Sequence, residues 1–250
     1  MSFDAALVRR RLKGRPVEFF EIIDSTMREA SAMAMQGCAA GTIVVAEEQT
    51  AGQGRHGHSW HSAPGCGLYC SLVLGAQTAT PAVTMALGLA AAEAIARVTD
   101  LACDLRWPND LLLNGRKTAG ILVQVEGAAL IAGIGVNVNH VVFPEELRSL
   151  ATSLRMESGR EHSREDLLVE LIEASDRYLR MLEQAGKQKI FELFALHSSY
   201  ASGKRVTVDL PEGRVRGVTS GLNSEGFLRV TTESGREELI IAGGVRAAGH

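Results

Sequence analysis

Three glycines and an arginine form the first group of residues whose types and spacing could do chemistry. In the stretch AGQGRHGHSW, Gly52, Gly54 and Gly57 have the spacing G-x-G-x-x-G, with Arg55 among them. Such glycines let backbone N–H groups converge on an oxyanion, and a guanidinium can grip phosphate or carboxylate in a bidentate way. The stretch therefore predicts an anion-binding loop, with a flexible surface hairpin as the alternative.

The same glycine spacing occurs in dinucleotide-binding proteins, but the surrounding sequence argues against NAD binding. A dinucleotide loop lies between a strand and a helix, and an acidic residue follows it about 20 positions later. Here Pro64, Gly65 and Gly67 interrupt any helix, and the first acidic residue after the loop is Glu93. The second near match, GIG at 133–135, continues as a strand. The sequence therefore predicts no Rossmann fold.

Histidines and cysteines near the loop raise the question of a zinc site. Structural zinc sites typically use paired C-x-x-C or H-x-x-x-H ligands. The spacings here match neither pattern, so the sequence does not favour zinc; the residues concerned are His56, His58, His61, Cys66 and Cys70.

Asp110 and Lys117 form a second group that could do chemistry. Asn114-Gly115 between them is a strong hairpin signal, and as a two-residue turn it places Leu112 opposite Lys117. Because side chains two residues apart share a face, Asp110 and Lys117 should form a diagonal cross-strand pair, with backbones about 7 Å apart. Trp107-Pro108 favours an extended approach to this strand. The alternative is a surface ion pair worth under about 1 kcal/mol.

Length and composition describe an enzyme-sized globular chain. Its 250 residues are 46% hydrophobic and 22% charged, and the formal net charge of -3 gives no electrostatic reason to expect a nucleic-acid or membrane partner. We expect no membrane-spanning segment and no signal peptide, and therefore a cytoplasmic protein. Four cysteines do not make a disulfide framework in a chain of this size and fit reduced thiols.

Periodicity, caps and turns predict the elements that position these groups. Residues with capping spacing are Thr26 with Glu29, Thr80 with Pro81, and Ser163 with Asp166. We expect helices at 3–14, 26–37, 81–99, 163–186 and 187–197. Strands are expected at 17–23, 42–49, 67–74, 111–113, 116–126 and 129–138. Beyond a domain boundary near residue 200, short strands at 204–210, 214–222, 227–232 and 237–243 predict a small β-barrel of roughly 50 residues.

Four ordered motifs resemble one known family. DSTMREA, AEEQTAGQGRHGHSW, RWPNDLLLNGRKTAGILVQ and GIGVNVN are similar to the catalytic domain of biotin protein ligases, and the resemblance covers nearly the whole chain. It implies an α+β fold of the class II synthetase and biotin ligase kind: a mixed, largely antiparallel sheet flanked by helices at 1–200, with an SH3-like barrel at 201–250. Only 24 residues precede Ser25, so the winged helix-turn-helix of some members is not expected, nor is DNA repression.

The resemblance implies an ATP-dependent, AMP-forming reaction in two steps. Biotin and ATP give biotinyl-5'-AMP, and biotin then passes to a lysine of a biotin carboxyl carrier protein domain, with Mg²⁺ expected on the ATP phosphates. The implied catalytic residues are Arg55, Lys117 and Asp110, the last to orient or deprotonate the acceptor lysine. No metal ligand from the protein is implied, and a homodimer is plausible by the same resemblance.

The implied binding residues form two overlapping sets. For biotin they are Ser25, Thr26, Gln49, Gly52, Gln53, Arg55 and Lys117. For ATP and the adenylate they are Arg55, His56, Gly57, Trp60, Asn109, Lys117 and Asn137. Thr26 has a competing interpretation as the cap of its helix.

Two other functions remain open at this point. One is a related acyl-adenylating enzyme such as a lipoate–protein ligase. The other is a biotin-binding protein that has lost catalysis, although the presence of Arg55, Asp110 and Lys117 argues against it.

Four residues depart from the family's common pattern. Gln53 stands where arginine is common, His56 and His58 where basic residues are frequent, and Gln124 where glutamate is common. The loss of a fixed cation at Gln53 predicts weaker retention of biotinyl-AMP than in arginine-rich loops. The charge of His56 and His58 changes near neutral pH, so the charge of the loop should do so too.

Replacing Gln53 by arginine tests the role of the missing cation. We expect Gln53→Arg to slow the release of biotinyl-AMP, because a guanidinium adds charge-assisted hydrogen bonds to the phosphate. The measurement is the dissociation rate of preformed adenylate from each protein, with Gln53→Met as a control of similar length and no charge. Equal rates for all three proteins would contradict the expectation.

Overall fold

The computed structural model describes residues 3–75, 81–210 and 213–248. Within them the helices are α1 (Ala5–Arg11), α2 (Thr26–Met35), α3 (Pro81–Thr99), α4 (Leu154–Ser158), α5 (Arg164–Ala185) and α6 (Lys187–Leu196). The first seven strands are β1 (Val17–Ile23), β2 (Ile43–Gln49), β3 (Gly67–Leu74), β4 (Asp104–Arg106), β5 (Asp110–Leu113), β6 (Arg116–Glu126) and β7 (Ala129–Asn137). The last five are β8 (Ser202–Leu210), β9 (Gly213–Leu222), β10 (Leu228–Thr232), β11 (Glu237–Ile240) and β12 (Gly244–Ala247).

The first seven strands form one sheet in the order β1-β2-β3-β7-β6-β5-β4. Only β1 and β2 pair in parallel within it, and the other neighbours are antiparallel. Helices α3, α5 and α6 pack together and build the larger core, to which Leu72 and Ala132 contribute. Helix α2 covers the other face, where Met27 meets Val73 and Ile131. This confirms the predicted mixed, largely antiparallel sheet flanked by helices.

The last five strands form a second, antiparallel sheet in the order β11-β10-β9-β8-β12. Strands β11 and β12 are its outer strands in the described residues, so the closed barrel of the prediction is not confirmed. The two sheets are joined through Trp107, whose Nε1 donates to the carbonyl oxygen of Gly226 over 2.9 Å. Phe191 of α6 lies directly beneath the same glycine. The second sheet is thereby held beside the strands that carry Asp110.

The cap of α2 differs from its prediction. Ser25, not Thr26, is the N-cap, and its Oγ accepts from the N–H of Met27 at 3.3 Å. The prediction for Ser163 is confirmed, since its side chain accepts from the N–H of Asp166. Thr80 lies outside the described residues.

Helix α3 is the one described helix long and apolar enough, by length and composition alone, to cross a membrane. The mean hydropathy of its most apolar 18 residues is 1.4, and 67% of that stretch is buried inside the fold. From the sequence we expected no membrane-spanning segment, and Glu93 and Arg97 lie within this helix. Its extensive burial is that of a core helix.

A buried ion pair ties the N-terminal segment, β2 and α5 together. Glu47 accepts from Arg164 Nη1 at 2.9 Å and from the N–H of Gly65 at 2.6 Å, and its side chain is 10% exposed. The N–H of Phe3 donates to the same carboxylate. Glu47 therefore fixes the start of β3, which lies beside the cleft described below.

Substitution of Glu47 should cost far more stability than loss of a surface ion pair. Glu47→Gln removes the carboxylate charge that pairs with Arg164 inside the fold, and we expect the free energy of unfolding to fall by about 3–5 kcal/mol. The control is Glu225→Gln, which removes the exposed pair with Lys187 and should cost under about 1 kcal/mol. Urea denaturation measures both values, and equal losses would contradict this account.

Candidate active site

The glycine loop (residues 52–59) folds back as a small closed hairpin. The N–H of Gly54 donates to the carbonyl oxygen of His58 at 2.7 Å, and Gln53 pairs with Ser59. A Cβ on residue 52 would lie 2.7 Å from the carbonyl oxygen of Trp60, so only glycine fits there. In this conformation the N–H of Gly54 is used inside the loop, and the side chain of Arg55 reaches from the loop to the large sheet.

Arg55 docks the loop onto the large sheet. Its Nη1 donates to Asn109 Oδ1 at 2.9 Å, and Asn109 Nδ2 donates to the carbonyl oxygen of Ile121 in β6 at 3.0 Å. Burial lowers the pKa of Arg55, and the nearby Asp110 opposes that shift. The guanidinium stays charged, because an arginine pKa lies far above neutrality. The loop thus brings a partly buried cation to the sheet.

A cleft opens beneath the loop. Its floor consists of three glycines, Gly120 in β6 and Gly133 and Gly135 in β7, which lie on one face of the sheet. A Cβ at 135 would lie 2.5 Å from the indole of Trp60, and one at 133 would lie 2.6 Å from Met27 Sδ. Because these positions carry no side chain, Trp60 and Met27 lie directly against the sheet there.

A chain of hydroxyl and amide groups closes one end of the cleft. Gln49 Oε1 accepts from both the N–H of Thr26 at 2.9 Å and its hydroxyl at 3.1 Å. Ser71 Oγ donates to Thr26 Oγ1 at 2.9 Å, and Gln49 Nε2 donates to Ser62 Oγ at 2.8 Å. The chain offers a ligand several hydrogen-bonding groups at this end of the cleft, and it links α2 to the end of the loop.

Asp110 is a buried carboxylate held between two cations. Lys117 Nζ lies 2.6 Å from its Oδ1, and Arg106 Nη2 lies 2.6 Å from its Oδ2. Burial acts to raise the pKa of Asp110, but Lys117 and Arg106 more than offset it, so the pKa lies below the usual range. Lys117 Nζ also lies 5.2 Å from the centre of the Trp60 ring. The group is an ionised cluster with excess positive charge, at the mouth of the cleft.

A larger groove continues from the cleft toward the second sheet. Its walls include Arg55, Asp110 and Lys117 on one side, and Asp209 and Arg246 of the second sheet on the other. The cleft and the groove share Arg55, Asn109 and Lys117. A small apolar ligand and a larger polar one could therefore meet at these shared cations.

Comparison with known proteins identifies relatives of both parts of the chain. Residues 19–140 match the family model described as the biotin/lipoate A/B protein ligase family, and residues 201–245 match that of the biotin protein ligase C terminal domain. The chain is 32% identical to the bifunctional ligase/repressor BirA of Bacillus spizizenii, over 94% of this chain and 75% of that protein. It is 31% identical to the biotin–[acetyl-CoA-carboxylase] ligase of Paracoccus denitrificans, over 88% of this chain and 95% of that protein.

The chain belongs to the biotin protein ligase family. Its fold also matches the structure of a biotin protein ligase from Aquifex aeolicus in complex with biotin and ATP, with a TM-score of 0.85 and 29% identity. That match covers 93% of this chain and 99% of the other. The resemblance found in the four sequence motifs is thereby confirmed.

The structure brings most of the predicted site residues of this biotin protein ligase family member together. Those that line the cleft are Thr26, Gln49, Gln53, Arg55, Trp60, Asn109 and Lys117. Asp110 and His56 line the adjoining groove. Asp110 and Lys117 are in direct contact, but the predicted regular diagonal pairing is wrong, because the register shifts between them and Asp110 lies opposite Gly120.

Four predicted residues lie apart from the walls of the cleft and the groove, and one of them is Gly52, which lies against the carbonyl oxygen of Trp60. Ser25 is fully buried as the cap of α2. Asn137 is buried behind Lys117, where its Nδ2 donates to the carbonyl oxygens of Lys117 and Thr152. Gly57 is exposed at the tip of the loop with a φ of +76°. Their direct contact with a ligand stays a prediction, and the structure gives Ser25 and Asn137 a supporting place instead.

His61, one of the residues weighed for zinc, lies against other aromatic rings. Its ring centre is 5.9 Å from that of His140, which stacks on Phe143 at 4.9 Å. Burial lowers the pKa of His140 to about 4. Within the described residues, no group of three histidine, cysteine or acidic side chains could hold a metal ion.

Several residues of the site were missed by the sequence analysis. The floor glycines, Ser71 and Arg106 have no place among its predictions. One signal was available: GIG at 133–135 puts two glycines on the same face of a strand, which is typical of a close approach to the backbone. In the sequence we interpreted it as a near match to a dinucleotide motif and as part of the GIGVNVN motif, but not as the floor of a cleft. Arg106 could have been inferred as the residue paired with Asp110 across the Trp107-Pro108 turn.

Adding a methyl group to the cleft floor should move Trp60. Gly135→Ala places a Cβ within 2.5 Å of the indole, so we expect the ring to leave the floor and its fluorescence emission to shift to longer wavelength. Trp107, the other tryptophan, is 2% exposed, and its emission should be the same in both proteins. Gly88→Ala is the control, because its Cβ would meet nothing closer than 3.9 Å. Identical spectra for wild type and Gly135→Ala would contradict this picture of the cleft.

Proposed function

We propose that the chain is an ATP-dependent biotin–protein ligase, which forms biotinyl-5'-AMP and then transfers biotin to a lysine of a biotin carboxyl carrier protein domain. The observation that carries this function is the position of Lys117. Its ammonium lies where a small cleft with a polar end meets a larger groove. A reaction between a small carboxylic acid and a nucleotide needs a cation at that junction.

The cleft is the part of the site that would bind biotin. Biotin combines a polar ureido ring with an apolar chain, and such ligands suit an apolar pocket with a few well-placed polar groups. Thr26 and Gln49 supply those groups at the polar end of the cleft. Gln53 lines the same cleft, and Gly52 sets the close turn that carries the loop over it.

Charge is the main demand of the first step. The carboxylate of biotin attacks the α-phosphorus of ATP, an acyl–phosphate bond forms, and pyrophosphate leaves with the electrons of the broken P–O bond. Two anions repel unless fixed cations offset the repulsion. Arg55, Lys117 and Arg106 carry three positive charges against the one negative charge of Asp110. Trp60 and Asn109 flank these cations at the place proposed for the adenylate.

Mg²⁺ enters this scheme bound to the phosphates of ATP. Magnesium usually keeps several waters and takes one or two carboxylates together with substrate phosphates. Both oxygens of Asp110, the acidic group at the junction, are already paired with cations. The ion neutralises phosphate charge when bound. No protein side chain is assigned to it.

The second step delivers the carrier lysine through the groove. The amine nitrogen attacks the acyl carbon, an amide bond forms, and AMP leaves with the electrons of the broken bond. Asp110 is suited to orient the amine by accepting its hydrogen bond. It is poorly suited to remove the proton, because its pKa is lowered by Lys117 and Arg106, so the proton passes to solvent. Lys117 then stabilises the leaving phosphate.

The remaining expectations stay proposals. A boundary near residue 200 is supported by the start of β8 at Ser202 and by the separate family match from 201. A cytoplasmic location, the absence of a nucleic-acid partner and a homodimer formed at a sheet edge are expectations from the sequence.

Pyrophosphate release dependent on both biotin and ATP tests the proposed function. We expect wild type to release it and to label a carrier domain on a streptavidin blot. Lys117→Ala should lower the rate by about 10²–10³-fold, because it removes a charge that stabilises the transition state. Lys187→Ala, which alters an exposed ion pair far from the cleft, is the matched control.

A substrate screen separates the related functions. Pyrophosphate release with lipoate or octanoate in place of biotin would indicate an enzyme of the lipoate-ligase kind. Binding of biotin without pyrophosphate release would identify a binding protein that has lost catalysis.

A further inference from the structure

Glu157 is a nearly buried carboxylate outside the cleft and the groove. Its side chain is 7% exposed and belongs to the short helix α4. It accepts from Arg116 Nη2 at 2.6 Å, from Asn114 Nδ2 at 2.5 Å and from the hydroxyl of Thr152. Burial acts to raise its pKa, but these donors more than offset it, so the pKa of Glu157 is lowered. One ionised group thus joins three donors from two segments of chain.

The first of these segments carries Lys117 at an irregular position. In the β5–β6 ladder Leu112 pairs with Lys117 but Leu111 pairs with Ala119, so Thr118 is an extra residue. This is a β-bulge, which interrupts the ladder and redirects the neighbouring side chains. Lys117 is therefore less constrained by β5 than a residue of a regular strand.

The second segment supplies the missing support. The N–H of Lys117 donates to the carbonyl oxygen of Leu150 at 2.8 Å, and its own carbonyl oxygen accepts from the N–H of Thr152 at 2.9 Å. Residues 117 and 151 form an isolated parallel bridge. The backbone of Lys117 is thus held by residues 150–152, which lie outside the regular sheet.

Glu157 spans this bridge. Asn114 and Arg116 precede Lys117 on the hairpin, and Thr152 lies on the opposite segment, so a single carboxylate holds both sides of the contact that fixes Lys117. The Arg116 and Glu157 side chains are 35% and 7% exposed, which gives the pair less solvent screening than a surface ion pair.

We propose that Glu157 is a positioning residue for Lys117, acting by clamping the β5–β6 hairpin to residues 150–152. The proposal rests on the proposed function, since Lys117 is assigned there to both steps. Glu157 touches no reacting atom. Glu157 holds the backbone at the bulge in place. This sets the direction in which the Lys117 ammonium points, toward Asp110 and the junction of the cleft and the groove.

The test compares Glu157→Gln with Glu161→Gln in the full chain. The glutamine amide presents donors where Arg116, Asn114 and Thr152 already donate, so the clamp should open. Glu161 is the matched control, because its carboxylate pairs with Arg155 on the same segment and is 61% exposed. Thr152→Val removes only one of the three donors and is a milder second variant.

We expect Glu157→Gln to lower kcat for biotin-dependent pyrophosphate release by about 10- to 100-fold, as misplacement of a reacting group by about an ångström does. The KM for biotin should change less than about twofold. Calorimetric titration with biotin counts binding-competent sites, so kcat is expressed per folded site. Glu161→Gln should match wild type, and Thr152→Val should lie between.

A Lys117→Arg background separates positioning from general loss of structure. If Glu157 acts through Lys117, adding Glu157→Gln to Lys117→Arg should cost less than about twofold, because coupled residues are not additive. The same fold-loss in both backgrounds would overturn the proposal, as would wild-type kcat in Glu157→Gln.

Hydrogen exchange provides a readout that does not depend on activity. Glu157→Gln should accelerate exchange of the Lys117 and Thr152 amides, which bridge the two segments, and Glu161→Gln should not. If wild type releases no pyrophosphate, the proposed function is contradicted. Hydrogen exchange still tests whether Glu157 clamps the hairpin to residues 150–152. Unchanged exchange at both amides would overturn the proposal.

Discussion

The burial of one carboxylate between two cations is the constraint on which the site depends. Asp110 is taken out of water, and an ionised group in that position is tolerated only when it is paired and hydrogen-bonded. Arg106 and Lys117 supply the pairs from β4 and β6, on either side of β5. The three strands must therefore keep their register for the charge to be compensated. The same register delivers Lys117 to the cleft with its charge only partly neutralised, because Arg106 shares the carboxylate.

The cleft depends on a complementary constraint, the absence of side chains. Helix α2 covers the second face of the sheet around Val44, Val73 and Ile131. Toward β6 the floor is glycine, and the indole of Trp60 takes the place that side chains would fill. An apolar surface is thereby kept available for a ligand without a permanent cavity in the main core, which lies on the opposite face.

Sequence reasoning succeeded where local rules decide the structure. The Asn114-Gly115 turn sets the pairing of Leu112 with Lys117, and the structure confirms that pairing. The α5 cap at Ser163 is likewise a local matter. The bulge at Thr118 could not be predicted, because it depends on residues 150–152, which contact Lys117 only in the folded chain. The supporting place of Asn137 behind Lys117 depends on the same long-range contact.

The glycine loop makes long-range contacts that its sequence does not reveal, and these contacts change the chemistry expected of it. Glycine spacing alone predicted backbone N–H groups converging on an anion, but the N–H of Gly54 is bonded to the carbonyl oxygen of His58. The cation Arg55 is instead held by the neutral amide of Asn109. A hydrogen bond from a guanidinium to a neutral oxygen is weaker than one to an anion. A phosphate or acyl-phosphate at the junction would therefore form a stronger hydrogen bond with Arg55 than Asn109 does. Arg55 would then attach the loop to the ligand. Anion binding and loop closure would then be one event, carried by a single side chain.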